Sequence, residues 1–198
     1  MELQEKSSRL FQSDFWERTT HVHHNTPFFI YIPIMIGVLL YTRLTGDVAT
    51  AWISSGFVLG MFNWTWFEYV LHRFVFHYEP KSEWGRRFHY LFHGIHHDFP
   101  GEKDRLVMPP LAGLMIAVPV FGLHYGLLES WGLPLFAGFL AGYLYYEFVH
   151  YSVHHKKKIG WSWTGEQRKN HLNHHFKDAG RRFGVTSPLW DFVFGTYQ

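Results

Sequence analysis

The sequence contains no cysteine and few charged residues, which make up 17% of its 198 positions. The absence of cysteine excludes disulfides, thiolate metal sites, iron–sulfur clusters and thiol catalysis. Apolar residues account for 47% and aromatic residues for 20%, a composition too apolar for a disordered chain. The net charge of +2 gives no reason to expect a nucleic-acid partner. The length predicts one domain over residues 1–198.

Four apolar stretches predict an all-α integral membrane protein with about four transmembrane helices. These spans lie near residues 27–44, 48–71, 107–128 and 133–153. A helix needs about 20 apolar residues to cross a bilayer core, and the last three stretches reach that length. The first is short and contains Pro33, so we expect it to be kinked or tilted. The polar N-terminal segment 1–26 has no apolar region of a signal peptide.

The basic residues are segregated along the chain. With four spans, all 18 lysines and arginines except Arg43 fall in segments that share one side of the membrane. The positive-inside rule predicts that this side is cytosolic. A soluble protein with four core helices has no reason for such segregation. We therefore expect the polar segments 73–106 and 155–198 to form one cytosolic helical cap. The membrane would be the endoplasmic reticulum in a eukaryote or the inner membrane in a bacterium.

Histidine is the most informative residue type, with 16 copies. Four short boxes, HRFVFH, HGIHH, HYSVHH and HLNHH, carry most of them at or near the predicted cytosolic edge. Helical spacing of three and four residues would let each box point several imidazoles into one space. His72 and His77 are five apart, which suits a helix that ends near Arg73 and then turns.

Ten imidazoles exceed the four to six ligands of one metal ion, so the boxes predict a pair of metals in the cap. The predicted ligands are His72, His77, His93, His96, His97, His150, His154, His171, His174 and His175. Nitrogen ligands suit iron, zinc and copper alike. A dimetal site beside a hydrocarbon cavity suits oxidation of an unactivated C–H bond by O₂, which requires redox-active iron. Zinc can fill the same sites in a purified sample.

Two carboxylates within the apolar spans are predicted to support the ligands. Glu68 precedes His72 by four residues, and Glu147 precedes His150 by three. An unpaired charge at that depth is costly, so each carboxylate is expected to accept the second ring N–H of a ligand. Direct bridging of the metals by a carboxylate is the alternative.

The remaining histidines have weaker signals. His89 lies one helical turn before His93, and His155 follows His154. Either could contact substrate, support a ligand or have no role in the site. An ordinary structural role is expected for the other four, His21, His23, His24 and His124.

The four boxes resemble those of the membrane fatty acid hydroxylase superfamily, which also contains sterol oxidases and carotenoid hydroxylases. Two flanking stretches are most similar to the fatty acid 2-hydroxylases of sphingolipid synthesis. These are HGIHHDFPGEKDRLVMPP, from His93, and FGVTSPLWDFVFGTY, from Phe183. The resemblance covers about residues 60–198, with the boxes in the same order.

The resemblance implies a diiron monooxygenase that uses O₂ to hydroxylate C2 of a long acyl chain, in a fatty acid or in the N-acyl chain of a ceramide. It implies the same ten ligands, and an acidic residue, often Asp, at the position of Glu147. Many relatives carry a fused cytochrome b5 domain. The polar segment before Pro27 is too short for one, so a separate electron-transfer protein, a cytochrome b5 or a ferredoxin, is expected.

The acyl carbonyl must be held so that C2 faces the metals. The cap residues predicted to bind the head group are Arg105, Tyr151 and Asn173. Catalytic residues beyond the metal ligands are not predicted. The alternatives are a sterol or carotenoid hydroxylase or desaturase of the same superfamily and, in another class, a divalent-metal transporter. Transporter sites usually lie near the bilayer midplane, whereas these histidines lie at its edge.

Overall fold

The computed structural model describes residues 9–155 and 163–198, apart from the side chains of Trp163 and Thr164. These residues form helices and connecting loops, with no β-strand among them, which confirms the all-α prediction. The α-helices are α1 Asp14–Thr19, α2 Thr26–Thr45, α3 Thr50–Leu71, α4 Glu83–His89, α5 Ile95–Asp98, α6 Pro110–Leu128, α7 Gly132–His155, α8 Trp163–Phe176 and α9 Leu189–Val193. Short π-helical turns occupy His72–Phe76 and Tyr90–Gly94, and a 3₁₀ turn, Glu129–Trp131, joins α6 to α7.

Among the residues that the structure describes, two stretches are long and apolar enough to cross a membrane. They are α2 and the 46 residues Pro110–His155, which contain α6 and α7. The expectation that the first predicted span is short is wrong, because α2 is a 20-residue helix that continues through Pro33. Helix α3 has 22 residues but does not meet the same test, since it carries polar side chains such as Asn63 and Glu68. Four crossings therefore stay a prediction.

Local sequence explains where α2 begins and ends. Pro27 lies in its first turn, where a missing backbone N–H leaves no helical hydrogen bond unmade. The helix ends at Gly46, whose φ of 72° is the left-handed conformation that glycine adopts without a steric penalty. Several of its large side chains are exposed, with Phe29 at 78% and Leu44 at 83%, although Tyr31 is buried. Such an apolar exposed surface suits contact with lipid.

The chain divides into two compact units, and one domain over 1–198 stays a prediction. The apolar unit comprises residues 25–66 and 110–147. Within it α3 and α7 approach closely at two glycines. A Cβ atom on Gly60 would overlap the Leu135 carbonyl, and one on Gly138 would overlap the Phe57 carbonyl. Small residues at a helix contact are typical of helices that pack within a membrane.

The histidine unit comprises the described parts of 1–24, 67–109 and 148–198. The two polar segments that were expected to form one cap both belong to it. Within it, the Ser82 hydroxyl caps α4 by accepting from the Gly85 amide at 3.1 Å. This unit also contains all four histidine boxes. The location of the unit on the cytosolic side stays a prediction.

Candidate metal centre

The ten histidines of the predicted ligand set lie in two groups of five. In each group, one ring nitrogen from every member lies within 4.8 Å of the others. The His72 group contains His72, His77, His93, His97 and His174. The His96 group contains His96, His150, His154, His171 and His175. The four separate boxes therefore converge on two places, and the assignment of the ten histidines as metal ligands stays a prediction.

A π-helical turn brings the first box together. The His77 amide donates to the His72 carbonyl at 3.1 Å, an i to i+5 hydrogen bond. The α-helix α3 ends at Leu71, close to the end expected near Arg73, but the chain then continues into the π-helical turn His72–Phe76. The wider turn places residues five apart on one face, which an α-helix does not do. Such turns occur frequently at functional sites.

The second and fourth boxes are each divided between the two groups. His93 and His97 join the His72 group, whereas His96 joins the other. Similarly, His174 lies in the His72 group, while its neighbour His175 lies in the His96 group. The expectation that each box points into one space is wrong for these two boxes. Successive helical residues differ in direction by about 100°, so adjacent histidines can serve two neighbouring centres.

The ring nitrogens within a group lie at separations that suit a shared metal ion. Nε2 atoms of His72, His77 and His93 form a triangle with sides of 3.1, 3.2 and 3.2 Å. In the His96 group, Nε2 of His171 lies 2.8 Å from that of His154 and 3.0 Å from that of His175. Metal–nitrogen bonds of about 2.1 Å at tetrahedral or octahedral angles give separations of roughly 3.0–3.4 Å. The residues present therefore fit a metal in each group.

The protonation of the rings also suits metal binding. Burial and the neighbouring histidines lower the pKa of His77 and of His97 to about 3. Burial lowers the pKa of His174 to about 4. These rings are therefore neutral at pH 7, which is the form that ligates metals. Mutual repulsion would oppose five charged rings in one buried space, whereas a bound cation is stabilised by their lone pairs.

Two rings of the His72 group are oriented by backbone carbonyls. Nδ1 of His72 lies 2.5 Å from the Phe183 carbonyl oxygen, and Nδ1 of His174 lies 2.6 Å from that of Arg181. A carbonyl can only accept, so Nδ1 carries the hydrogen in both rings. Nε2 is then left with a lone pair directed into the group. Second contacts of this kind fix both the tautomer and the direction of a metal-binding ring.

Glu68 is buried and holds the chain segment that orients His72. Its carboxylate accepts from the amides of Val185 at 2.6 Å and Thr186 at 2.8 Å, and also from the Thr186 hydroxyl. The sequence placed a ring N–H in that role, whereas these contacts are to the segment that contains Phe183. Direct support of a ligand by Glu68 stays a prediction.

Asp191 is a buried carboxylate that the sequence analysis missed. It accepts from the amides of Phe183 and Gly184, both at 2.9 Å, and from the Thr196 hydroxyl at 2.7 Å. The available signal was an acidic residue within the apolar run LWDFVF near the C-terminus. That run has no histidine, so spacing to a metal ligand could not identify it.

Comparison with known proteins identifies the family. The family model for fatty acid hydroxylases matches residues 57–196, a range that includes all four boxes. The chain belongs to the fatty acid hydroxylase family. This membership confirms the predicted enzyme class, an oxidoreductase, and decides against the transporter alternative.

Curated relatives and a solved structure support the same assignment. The chain is 41% identical over 189 residues to an Arabidopsis thaliana protein named dihydroceramide fatty acyl 2-hydroxylase FAH1, covering 95% of this chain and 79% of that protein. It is 34% identical over 209 residues to human fatty acid 2-hydroxylase, covering 95% and 56%. A solved structure titled full-length scs7p, with only its hydroxylase domain visible, is 35% identical with a TM-score of 0.87, covering 93% and 70%.

The other predicted site residues of this fatty acid hydroxylase lie in varied surroundings. Glu147 is buried and forms a hydrogen bond with the Tyr143 side chain, one turn earlier in α7. His89 contacts the Phe76 carbonyl through Nε2. His155 packs its ring against that of Tyr151 at 4.8 Å. Their roles in supporting the ligands stay predictions.

The three predicted head-group residues differ in accessibility. Arg105 is buried and pairs with the Glu17 carboxylate, while its guanidinium lies 2.8 Å from Nε2 of His21. Tyr151 and Asn173 are half-buried, and the Tyr151 ring stacks on a neighbouring histidine at 4.1 Å. Arg105 therefore ties the N-terminal segment to the rest of the histidine unit, and a head-group role for any of the three stays a prediction.

The histidines with an expected structural role include one that pairs with acids. His21 lies 2.8 Å from an Asp104 carboxylate oxygen, and together with Glu102 these residues could surround a cation. The Arg105 guanidinium already places a positive charge against His21. The arrangement is accordingly explained as an ion-pair network. His124 is buried in the apolar unit against the rings of Phe136 and Phe139.

Proposed function

We propose that this protein hydroxylates C2 of a long acyl chain, in a free fatty acid or in the N-acyl chain of a ceramide, with O₂ as oxidant. The observation that carries the proposal is the pair of five-histidine groups in a chain of the fatty acid hydroxylase family. The names of its relatives, dihydroceramide fatty acyl 2-hydroxylase and fatty acid 2-hydroxylase, support the position and substrate class.

We assign one iron ion to the His72 group and one to the His96 group. Ten buried or half-buried nitrogen ligands and the absence of cysteine suit iron, and zinc can occupy the same nitrogens without redox activity. Bound iron would supply activation of O₂, so that one oxygen atom enters the C–H bond and the other leaves as water. The balance requires two electrons and two protons from outside the substrate.

The protein's own groups have three tasks in this reaction. The neutral rings hold the metals, and the buried surroundings exclude bulk water from the reacting space. The acyl carbonyl must be held so that C2 is the carbon presented to the metals. Of the three predicted head-group residues, Tyr151 and Asn173 are the more accessible, since Arg105 is engaged by Glu17.

The proposal places the enzyme in a membrane as a multi-pass protein, with the histidine unit on the cytosolic side. The segregation of all basic residues except Arg43 supports this orientation. In a eukaryote the membrane would be the endoplasmic reticulum, and in a bacterium the inner membrane. Impermeant labelling of single cysteines introduced at Glu129 and at Glu79 tests it. Labelling of position 129 only from the cytosolic side would contradict the orientation.

Electron delivery is assigned to a separate carrier, such as a cytochrome b5 or a ferredoxin. The reaction consumes two electrons per turnover, and side chains alone are not a renewable source of them. Purified enzyme supplied with O₂ and acyl substrate should turn over only when a reductase and such a carrier are added. Turnover without any added donor would contradict this part of the proposal.

Mass spectrometry of total lipids tests the reaction itself. Cells that express the protein should gain a 2-hydroxy acyl fragment that is heavier by about 16 Da, the mass of one added oxygen atom. Growth under ¹⁸O₂ should add a further ~2 Da, because the inserted atom comes from O₂. Cells that express His96→Ala from the same vector provide the matched control, because this variant differs only in the loss of one predicted metal ligand. Oxygen gained by a sterol or carotenoid, with acyl chains unchanged, would overturn the proposed substrate class.

A further inference from the structure

The loop of residues 181–186, between α8 and α9, carries both carbonyls that orient rings of the His72 group. Arg181 and Phe183 present their carbonyl oxygens to Nδ1 of His174 and of His72. Between them Arg182 has a φ of 60°, which is unusual for a residue other than glycine. A backbone in this conformation persists only when its surroundings hold it. The direction of these carbonyls thus depends on what anchors the loop.

Asp191 is the anchor closest to the carbonyl that orients His72. Its Oδ1 accepts from the Phe183 amide and its Oδ2 from the Gly184 amide, both at 2.9 Å. The side chain is buried, at 1% exposure. A Cβ atom on Gly184 would lie 3.0 Å from Oδ2 of Asp191, so glycine permits this close approach. The two contacts fix the backbone on both sides of Phe183.

The decisive link is a single peptide group. The carbonyl of Phe183 and the amide of Gly184 belong to one planar unit, and in a trans peptide they point in opposite directions. Asp191 holds the N–H end of that unit, while His72 is held by the C=O end. A carboxylate on the N–H end also polarises the carbonyl and strengthens it as an acceptor. Asp191 thereby acts on the His72 ring without touching it.

Other contacts anchor the two ends of the same loop. The Arg182 amide donates to the Thr196 carbonyl at 2.9 Å, and Glu68 accepts from the Val185 and Thr186 amides. These contacts limit movement of the loop as a whole. The Thr196 carbonyl bonds the peptide whose carbonyl orients His174, whereas Asp191 is the side chain that bonds the peptide whose carbonyl orients His72.

We propose that Asp191 is a positioning residue for the metal of the His72 group, acting through the Phe183–Gly184 peptide on the direction of His72 Nε2. The inference rests on the proposed function, since it assumes that each histidine group holds one metal ion. It predicts that loss of the Asp191 charge weakens one metal site and leaves the other unchanged.

The test is metal retention by the full-length protein in detergent, measured during titration with a competing chelator. In Asp191→Asn an NH₂ group faces a backbone N–H, so one of the two hydrogen bonds is lost. One of two metal affinities should fall by about 10–100-fold, the usual effect of removing such a contact, and the other should not change. Asp47→Asn, at an exposed position outside the site, is the matched control.

A stability control separates positioning from general damage. Leu140 is buried in α7, within the apolar unit, and Leu140→Ala should lower the melting temperature without altering either metal affinity. If Leu140→Ala and Asp191→Asn lower the melting temperature alike, and both lose metal alike, the effect is structural and the positioning role is overturned.

Double variants show which group is affected. Asp191→Asn combined with His175→Ala should leave no tightly bound metal, because one change weakens each group. Combined with His97→Ala, it should leave one tightly bound metal, because both changes fall on the His72 group. The reverse pattern would overturn the assignment.

Two further outcomes are decisive. Wild-type protein that binds fewer than two metals after reconstitution would overturn the proposed function and this inference with it. Wild type with two metals and a folded Asp191→Asn with unchanged affinities would overturn the inference alone. If Asp191→Asn does not fold, Thr196→Val takes its place, since it removes only the hydroxyl that donates to Asp191 at 2.7 Å. This variant should weaken the same metal to a smaller degree, and unchanged affinities would again overturn the inference.

Discussion

The two histidine groups contain the same number of rings but are supported differently. In the His72 group, the Nδ1 atoms of His72 and His174 contact carbonyls of the 181–186 loop. In the His96 group, the Nδ1 atoms of His171 and His175 are buried and have no hydrogen-bond partner among the described residues. Two rings of the His72 group are thus oriented by fixed main chain, whereas His171 and His175 of the other group are oriented by the packing around them.

This difference in hydrogen bonding predicts that the two metal sites differ in rigidity. A ring whose second nitrogen is hydrogen-bonded keeps its tautomer and direction when the metal is absent. A buried ring N–H without a partner carries a free-energy penalty of about 1–3 kcal/mol, and it is free to reorient within its packing space. We therefore expect the His72 group to be the more rigid metal site and the His96 group the more adaptable one.

The largest expected effect comes from removing one ligand from each group. His174→Ala and His96→Ala should each lose one of two metals and abolish turnover, because the proposed reaction needs both centres. Metal analysis and lipid mass spectrometry measure the two results. His124→Ala is the control, since its ring lies in the apolar unit, and it should retain both metals and turnover. A variant that loses one metal but keeps normal turnover would show that the reaction does not require that group.

Glu68→Gln should weaken the His72 group selectively. Glutamine keeps the size of the side chain, and its one oxygen can still accept from the amides of Val185 and Thr186, which both donate to Oε1 of Glu68. It loses the negative charge and places an NH₂ group where Oε2 accepts from the Thr186 hydroxyl, so the 181–186 loop is held less firmly. We expect the metal of that group to bind about 10-fold more weakly and the free energy of unfolding to fall by about 1–3 kcal/mol. Chelator titration and thermal unfolding measure these changes. An equal loss of affinity for both metals would show that Glu68 does not act selectively on the His72 group.

Glu147→Gln tests the support of the His96 group in the same way. If the sequence prediction is right and Glu147 supports His150 or His154, its variant should weaken only the metal of the His96 group, by about 10-fold. Activity should fall less than in His150→Ala, and Glu147→Asp should be better tolerated because it keeps the carboxylate. The same chelator titration gives the answer. Wild-type metal affinity and rate in Glu147→Gln would identify it as a packing partner of Tyr143.

The smallest expected effect is a difference in the rate of metal loss, measured on the wild-type protein without any substitution. Chelator added to the wild-type protein should remove metal in two phases, with rates that differ by up to about 10-fold, the lower end of what such contacts contribute. The slower phase should belong to the His72 group, whose rings are held by carbonyls. His175→Ala and His97→Ala, which each leave one intact group, assign the phases. A single phase would remove the basis for calling one group more rigid.

Much of the site could be predicted from local sequence. All ten histidines were identified by residue type and by helical spacing, and each belongs to one of the two groups. The boundaries of α6 and α7 also follow from apolar stretches of sufficient length. The His72–His77 spacing was interpreted less well, because a π-helical turn has no distinctive residue pattern and resembles a helix end.

The partners of the buried carboxylates could not be predicted in this way. Glu68 bonds the Val185 amide, 117 positions along the chain, and Asp191 bonds backbone amides that carry no sequence signature. The contacts of Glu68 with the 181–186 loop therefore have no signal in the local sequence, while its support of a ring stays a prediction. The contact of Arg105 with Glu17, 88 positions away, has no such signal either.

The sequence by itself determined which side chains are available, because ligand type, helical spacing and apolar length are properties of short segments. It also determined the family, since the family model matches residues 57–196, a range that contains the four boxes. Only the tertiary structure decided how five rings join each group. Adjacent histidines such as His96 and His97 diverge by about 100°, so their assignment depends on which distant helix faces each one. It also decided that Phe183, 111 positions from His72, orients that ring.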